Sequence, residues 1–209
     1  MKSLDAKLDN KRALLGRFNL PYKESMPVIG AISRLVEQKG FDLVIEMMDD
    51  LVKLNVQFVL LGDGDKTAEK QFEALQKKYP EQIGVFFGFD KELAHLIEAG
   101  SDMFVMPSRY EPCGLNQMYS MRYGTVPVVR ATGGLDDTVE DYSGVGKGTG
   151  FKFEKYDAKE LLKAMQRALK VYLQPEEWKK LMRNGMAKDF SWEHSAKSYV
   201  NLYKELLKQ

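Results

Sequence analysis

The stretch from Phe104 to Val139, FVMPSRYEPCGLNQMYSMRYGTVPVVRATGGLDDTV, constrains the fold more than any other part of the chain. An apolar strand ends at Val105-Met106, where Pro107 prevents a regular continuation. Gly114 opens a helical segment whose apolar face is expected to carry Leu115, Met118 and Tyr119, and Gly124 closes it as a C-terminal cap. Val126 to Val129 is a second buried strand, and Gly133-Gly134 leads into a short helix over Leu135 to Glu140. Arg109, Glu111 and Asn116 thus fall where strands hand over to helices. Open α/β sheets bind their ligands at that edge.

The same alternation runs through the rest of the chain. Strands are expected at Val28 to Ile32, Val56 to Leu61, Ile83 to Phe87, Asp102 to Met106 and Phe151 to Phe153. Between them lie helical stretches, the clearest carrying Val44, Met47, Met48, Leu51 and Leu54 on one stripe. A second spans Thr67 to Tyr79, stopped by Pro80, and a third is marked by Leu93, Leu96 and Ile97. Strand followed by helix, repeated, predicts a doubly wound, mostly parallel α/β sheet of Rossmann-like type with helices on both faces. Extra C-terminal helices follow: one capped by Asp157 with Glu160 three residues on, one opened by Pro175, and one capped by Ser191. The last carries Trp192, Ala196, Tyr199, Val200, Tyr203, Leu206 and Leu207 on a wide aromatic stripe that needs a packing partner. At the other end, Leu4, Leu8 and Leu15 among charges suggest a solvated helix before a linker bracketed by Pro21 and Pro27. This divides the chain into 1–27 (helix and linker), 28–190 (the α/β domain) and 191–209 (the final helix).

Composition excludes several classes. With 31 basic against 30 acidic residues, nothing points to nucleic acid or a membrane surface as partner, so any anion site must be local. The single cysteine forbids internal disulfides and fits a reducing, cytoplasmic setting. No apolar run reaches the roughly 20 residues of a membrane span. His95 and His194 lack partners at metal-ligand spacing, so no metal and no cofactor is expected. Gly62-Asp63-Gly64-Asp65 falls short of a calcium loop and suits a strand-end turn. The alternating glycines from Gly144 to Gly150 stand between a helix and a strand, the wrong context for a phosphate loop, and suit a flexible surface loop. Cys113, without a neighbouring base, suits small-residue packing.

Arg34 and Lys39 follow the first strand and are candidates for phosphate: a guanidinium offers a planar fork, an ammonium a compact charge. Either alone reads first as a solvated surface charge; their convergence with Gly133-Gly134 on one edge favours the anion site. Gly133 and Gly134 offer backbone N–H groups at a helix start as a second anion site. Glu111 is either a helix-dipole cap or an acceptor for sugar hydroxyls. Phe89 is either core or a platform for a base.

SRYEPCGLNQMYSMRYGTVPVV followed by ATGGLDDTV resembles the signature of the glycogen/starch synthase family, and ISRLVEQKG resembles its phosphate-binding loop. TGFKF and DFSWEHSAKSYVNLY are similar to segments of that family's C-terminal lobe. The resemblance implies one donor-binding lobe of a GT-B glycosyltransferase, whose reaction moves glucose from ADP-glucose or UDP-glucose, with retention, to the non-reducing end of an α-1,4-glucan. It implies that Arg34 and Lys39 hold the distal phosphate, Glu111 contacts the donor sugar, and Phe89 stacks on the base. Leu115 and Asn116 would approach the phosphates, and Gly133-Gly134 would match the family's Gly-Gly turn. Tyr119 stands where other retaining transferases carry a second glutamate, which marks the synthase branch. The family's Lys-x-Gly-Gly-Leu loop is absent from this sequence, so the N-terminal lobe is an expected partner and the chain alone an expected non-catalyst. The alternative is a non-catalytic module that binds nucleotide sugar or a partner protein.

Overall fold

The computed structural model describes residues 6–207, which leaves the expected helix residue Leu4 and the last two residues outside the description. Six parallel strands form one sheet: β1 (Val28–Ile32), β2 (Gln57–Gly62), β3 (Ile83–Phe87), β4 (Met103–Met106), β5 (Val126–Arg130) and β6 (Phe151–Phe153). Their order is β3-β2-β1-β4-β5-β6, so the winding reverses between β1 and β4. Every expected strand is present to within one residue at either end. The helices are α1 (Ala6–Arg17), α2 (Phe41–Val52), α3 (Lys66–Lys78), α4 (Lys91–Gly100), α5 (Asn116–Arg122), α6 (Gly133–Thr138), α7 (Ala158–Tyr172), α8 (Pro175–Met186) and α9 (Trp192–Leu206).

The two faces of the sheet have separate cores, as the two-residue side-chain period of a strand requires. Ile29, Ala31, Phe58, Leu60, Val105 and Val128 pack under α2, α3, α7 and α8. Val28, Val59, Leu61 and Phe104 pack under α1 and α4 on the other side. Sequence caps set the helix starts: Asp65, Asp90, Asp157 and Ser191 each accept main-chain N–H groups with their side chains.

Three local expectations are corrected. α1 is not solvated: Lys7, Lys11, Leu14 and Leu15 are buried against α4 and the lower edge of the sheet. Lys11 Nζ lies 2.9 Å from Asp102, and Lys7 Nζ donates to Ala99 O at 3.0 Å and Thr125 Oγ1 at 2.6 Å. Two lysines occupy the inner face, so apolar periodicity could not reveal it. α5 is also turned relative to expectation: Gln117, Ser120 and Met121 face inward, while Leu115 and Tyr119 are exposed. The loop over 144–150 is fastened, because Gly146 N–H donates to the buried Glu177 carboxylate at 2.6 Å. Asn184 further donates to the carbonyls of Gly146 and Gly148. By contrast α9 buries no side chain, and its whole aromatic stripe faces outward.

Candidate nucleotide-sugar cleft

The loops that leave β1, β2, β3 and β4 meet at one end of the sheet and enclose a cleft of about 460 Å³. It lies over the point where the winding reverses, the place at which doubly wound sheets bind ligands. Arg34, Lys39, Phe89, Glu111, Leu115 and Asn116 all line it.

The first wall is the β1–α2 loop, which runs beside the β2–α3 loop. Ser33 N–H donates to Leu61 O at 3.0 Å, Leu35 N–H to Asp63 O at 2.6 Å, and Asp65 N–H to Leu35 O at 2.8 Å. That contact requires glycine at 62, where a Cβ would sit 1.8 Å from Ser33 O. The turn Gly62–Asp65 is therefore a seat for this loop, as well as the start of α3 through the Asp65 cap. Arg34 projects from the seated segment, exposed, and has no ion pair among the described residues.

The second wall is the β4–α5 loop. Gly40, at φ 73°, lets it approach: a Cβ there would be 2.0 Å from Pro107 O. Arg109 N–H donates to Gln38 O at 2.8 Å, and the Asn116 amide donates to Ile32 O at 3.1 Å. Across this seam Lys39 Nζ meets Glu111 Oε2 at 2.5 Å, with Ser108 Oγ 3.4 Å from the same oxygen. Glu111 is only 7% exposed, and among the described residues its carboxylate is met by that ammonium and by Ser108, not by helix N–H groups. Lys39 uses one of three ammonium protons on Glu111 and keeps two for another acceptor. Arg109 itself turns out of the cleft, pairing with Asp42 at 3.2 Å and lying 4.1 Å over the Tyr156 ring.

On the β3 side, Phe89 is 93% exposed, which rules out a core role. Beside it, Asp90 caps α4 and pairs with Arg17 at 2.9 Å. The Leu93 N–H, and then Arg17, hold its carboxyl below the usual carboxylate range. Asp63 also lines the cleft, making its floor mixed in charge and Arg34 its unpaired cation among the described residues.

Three expected site residues are not where the sequence put them. Gly133 and Gly134 do not line the cleft, and the Gly134 N–H already donates to Glu111 O at 2.9 Å. Any Cβ on Gly133 would lie 2.3 Å from Glu111 O, and on Gly134 2.1 Å from Cys113 O. The glycine pair is the bed of the Glu111 loop, not an anion site. Tyr119 sits on the outer side of α5, away from the lining. Cys113 is exposed, so its packing role falls too. Sequence reasoning passed over Ser108, Gln117 and Arg130, which hold the same loop. Arg130 does so by donating to Arg109 O at 2.5 Å. Nothing in their spacing marks Gln117 and Arg130, which reach main-chain carbonyls, while Ser108 meets the Glu111 carboxylate from within its own loop. Among the described residues, no group of three or more His, Cys, Asp or Glu could hold a metal ion. No described helix is long and apolar enough to cross a membrane.

Sheet order and cleft together define a Rossmann-like lobe with an open cleft at its switch point. Residues 16–185 match the family described as glycosyl transferases group 1, and the chain belongs to that family. It is 53% identical over 204 residues to a glycogen synthase of Koribacter versatilis (strain Ellin345), covering 97% of this chain and 42% of that protein. A glycogen synthase of Thermotoga maritima is 50% identical over 206 residues, covering 98% and 42%. Among solved structures, the catalytic domain of starch synthase IV from Arabidopsis thaliana, bound to ADP and acarbose, superposes with a TM-score of 0.89. The identity there is 36%, over 100% of this chain and 44% of that one. The chain therefore spans less than half the length of these three relatives, and its fold is one lobe of the GT-B arrangement.

Proposed function

We propose that the chain is the nucleoside-diphosphate-glucose-binding lobe of a cytoplasmic glycogen synthase, which transfers glucose with retention to the non-reducing end of an α-1,4-glucan. What carries this is the meeting of Arg34, Lys39 and Glu111 in one cleft at the switch point, with Arg34 unpaired among the described residues and two Lys39 protons free of Glu111. A diphosphate placed there takes the Arg34 fork and the remaining Lys39 protons. Its glucose comes to lie beside Glu111, whose second carboxylate oxygen accepts sugar hydroxyls. Phe89, almost fully exposed at the rim, offers its ring face to the base, and a ring face alone does not choose between adenine and uracil. Leu115 and Asn116 close the wall beside the phosphates.

Bond breaking puts charge on the leaving diphosphate. Arg34 and Lys39 stabilise that charge without a metal, and such preorganised donors are typically worth about 3 kcal/mol each. The α-glucan acceptor is held by polypeptide beyond this chain, in the length the relatives have and the chain does not. Alone, then, the chain binds donor and transfers nothing.

Calorimetry with ADP, UDP and their glucose conjugates is the test. Arg34→Ala should weaken nucleotide binding about tenfold, the worth of one charge-assisted contact, and unchanged affinity would overturn the assignment. Glucose incorporation into glycogen by the chain alone, at about 1 s⁻¹ or faster, would refute the division of labour. A chain that binds nucleotide, yet gains no transfer when the rest of a relative is added, would be a binding module.

A further inference from the structure

Gln117 is fully buried at the second position of α5, and its side chain turns back toward the loop that precedes the helix. Its Nε2 lies 3.1 Å from Cys113 O, 3.0 Å from Gly114 O and 3.1 Å from Thr138 Oγ1. Thr138 passes its own proton to Gly134 O at 2.5 Å, and the Gly134 N–H donates to Glu111 O at 2.9 Å. The loop from Glu111 to Gly114 is therefore held at both ends. One end is clasped directly by the Gln117 amide, and the other is reached through Thr138 and the glycine pair.

The amide is an odd choice for packing alone. Its Oε1 is buried with no hydrogen-bond partner, a desolvation cost that an apolar side chain of the same size would avoid. Gly114, at φ 74°, is needed to admit it, because a Cβ there would lie 2.5 Å from that oxygen. The amide earns its place through its two protons, both directed at the loop and its bed. That loop contributes little else to the core: Pro112 and Cys113 are exposed, and Glu111 is its one buried side chain.

We propose that Gln117 is a positioning residue, whose buried amide fixes the main chain of 111–114 so that the Glu111 carboxylate stays in register with Lys39 and with a bound sugar. This rests on the nucleotide-sugar assignment of the cleft. In a chain of hydrogen bonds each member polarises the next, so the link from Gln117 through Thr138 acts as a unit.

The test is Gln117→Met in the intact chain, which keeps the volume and removes the donors. Its thermal midpoint should stay near that of the parent, because the unpartnered Oε1 leaves together with the donors. Exchange of the Gly134 amide should quicken about tenfold, since its acceptor loses its anchor. ADP should bind within about twofold of the parent, while the ratio of ADP-glucose to ADP affinity should fall about fivefold or more. Unchanged Gly134 protection with an unchanged ratio would overturn the proposal. So would equal losses for both ligands with protection retained, the signature of a merely structural role. Should the parent bind no nucleotide, the assignment of the cleft falls, and the positioning of the loop is decided by Gly134 exchange alone. Thr138→Val leaves Gln117 in place and reads the same link, with a smaller gain in exchange expected, if Gln117→Met does not fold. No gain there would overturn it.

Discussion

Breaking the Lys39–Glu111 pair tests the cleft where its two walls join. The lysine side chain is 21% exposed and the glutamate 8%, with 2.5 Å between the charged atoms. Removing one partner of a fully buried pair costs about 3–5 kcal/mol, whereas exposed pairs contribute about 0–1 kcal/mol. Lys39→Met should therefore cost about 2–3 kcal/mol, toward the buried limit, because Glu111 cannot follow its charge into water. Glu111→Gln should cost only about 1 kcal/mol, since the ammonium can turn outward and the amide oxygen can still accept from it. The double variant should recover part of the sum, leaving a coupling of about 1–2 kcal/mol. Urea titrations of the four proteins at one pH measure this through midpoints at constant slope. The coupling should persist in 0.5 M salt, where an exposed pair would be screened. A coupling below about 0.3 kcal/mol would mean that the two walls are not joined by this pair, and the site geometry would be wrong.

Other parts of the fold answer to separate measurements. Burial, only partly offset by Asp102, pushes the Lys7 ammonium down from 10.5 to about 8. Between about pH 8 and 10 the unfolded chain then holds more protons than the folded one, so this group makes stability rise with pH, by at most about 1.4 kcal/mol per unit. Lys7→Met should remove that rise, and identical pH profiles of parent and variant would refute it. Ending the chain after Asp189 should shift the thermal midpoint by less than about 3 °C, because α9 buries nothing. A larger loss would show that α9 packs on this lobe in solution. Gly40→Ala combines a left-handed backbone with a Cβ 2.0 Å from Pro107 O, so a loss of about 2 kcal/mol or more and weaker nucleotide binding are expected. Native stability on melting would place the β4–α5 loop elsewhere.

What was legible in the sequence was whatever depends on burial of apolar runs. The strands of a sheet covered on both faces read as continuous hydrophobic stretches, so β1, β2 and β5 could be bounded to within a residue. Caps were legible as well, because Asp157 and Ser191 act on main chain two or three residues away. Inner faces built from polar residues were not. Lys7 and Lys11 dock α1 through partners 92 and 91 residues distant, at Ala99 and Asp102, and Gln117 fastens α5 through carbonyls. A period of apolar residues contains no trace of such contacts, and on α5 it pointed to the wrong face.

The glycine pair shows why placing residues at the right edge of a sheet does not assign their roles. Gly133 and Gly134 do stand at a helix start near the cleft, as the sequence implied, and helix starts attract anions. What decides against an anion is that the space is filled: Glu111 O and Cys113 O lie where the two Cβ atoms would be, and the Gly134 N–H has its acceptor. The close approach makes the pair a bed for the Glu111 loop, because the carbonyl it receives belongs to Glu111. In the proposed reading Arg34 and Lys39 then remain as the cations for the diphosphate, the first without an ion pair among the described residues and the second shared with the same glutamate. That reading ties phosphate and sugar recognition through a single side-chain contact. On that reading a donor that takes the two remaining Lys39 protons shares the ammonium's charge with Glu111, just as that carboxylate gains sugar hydroxyls to accept from.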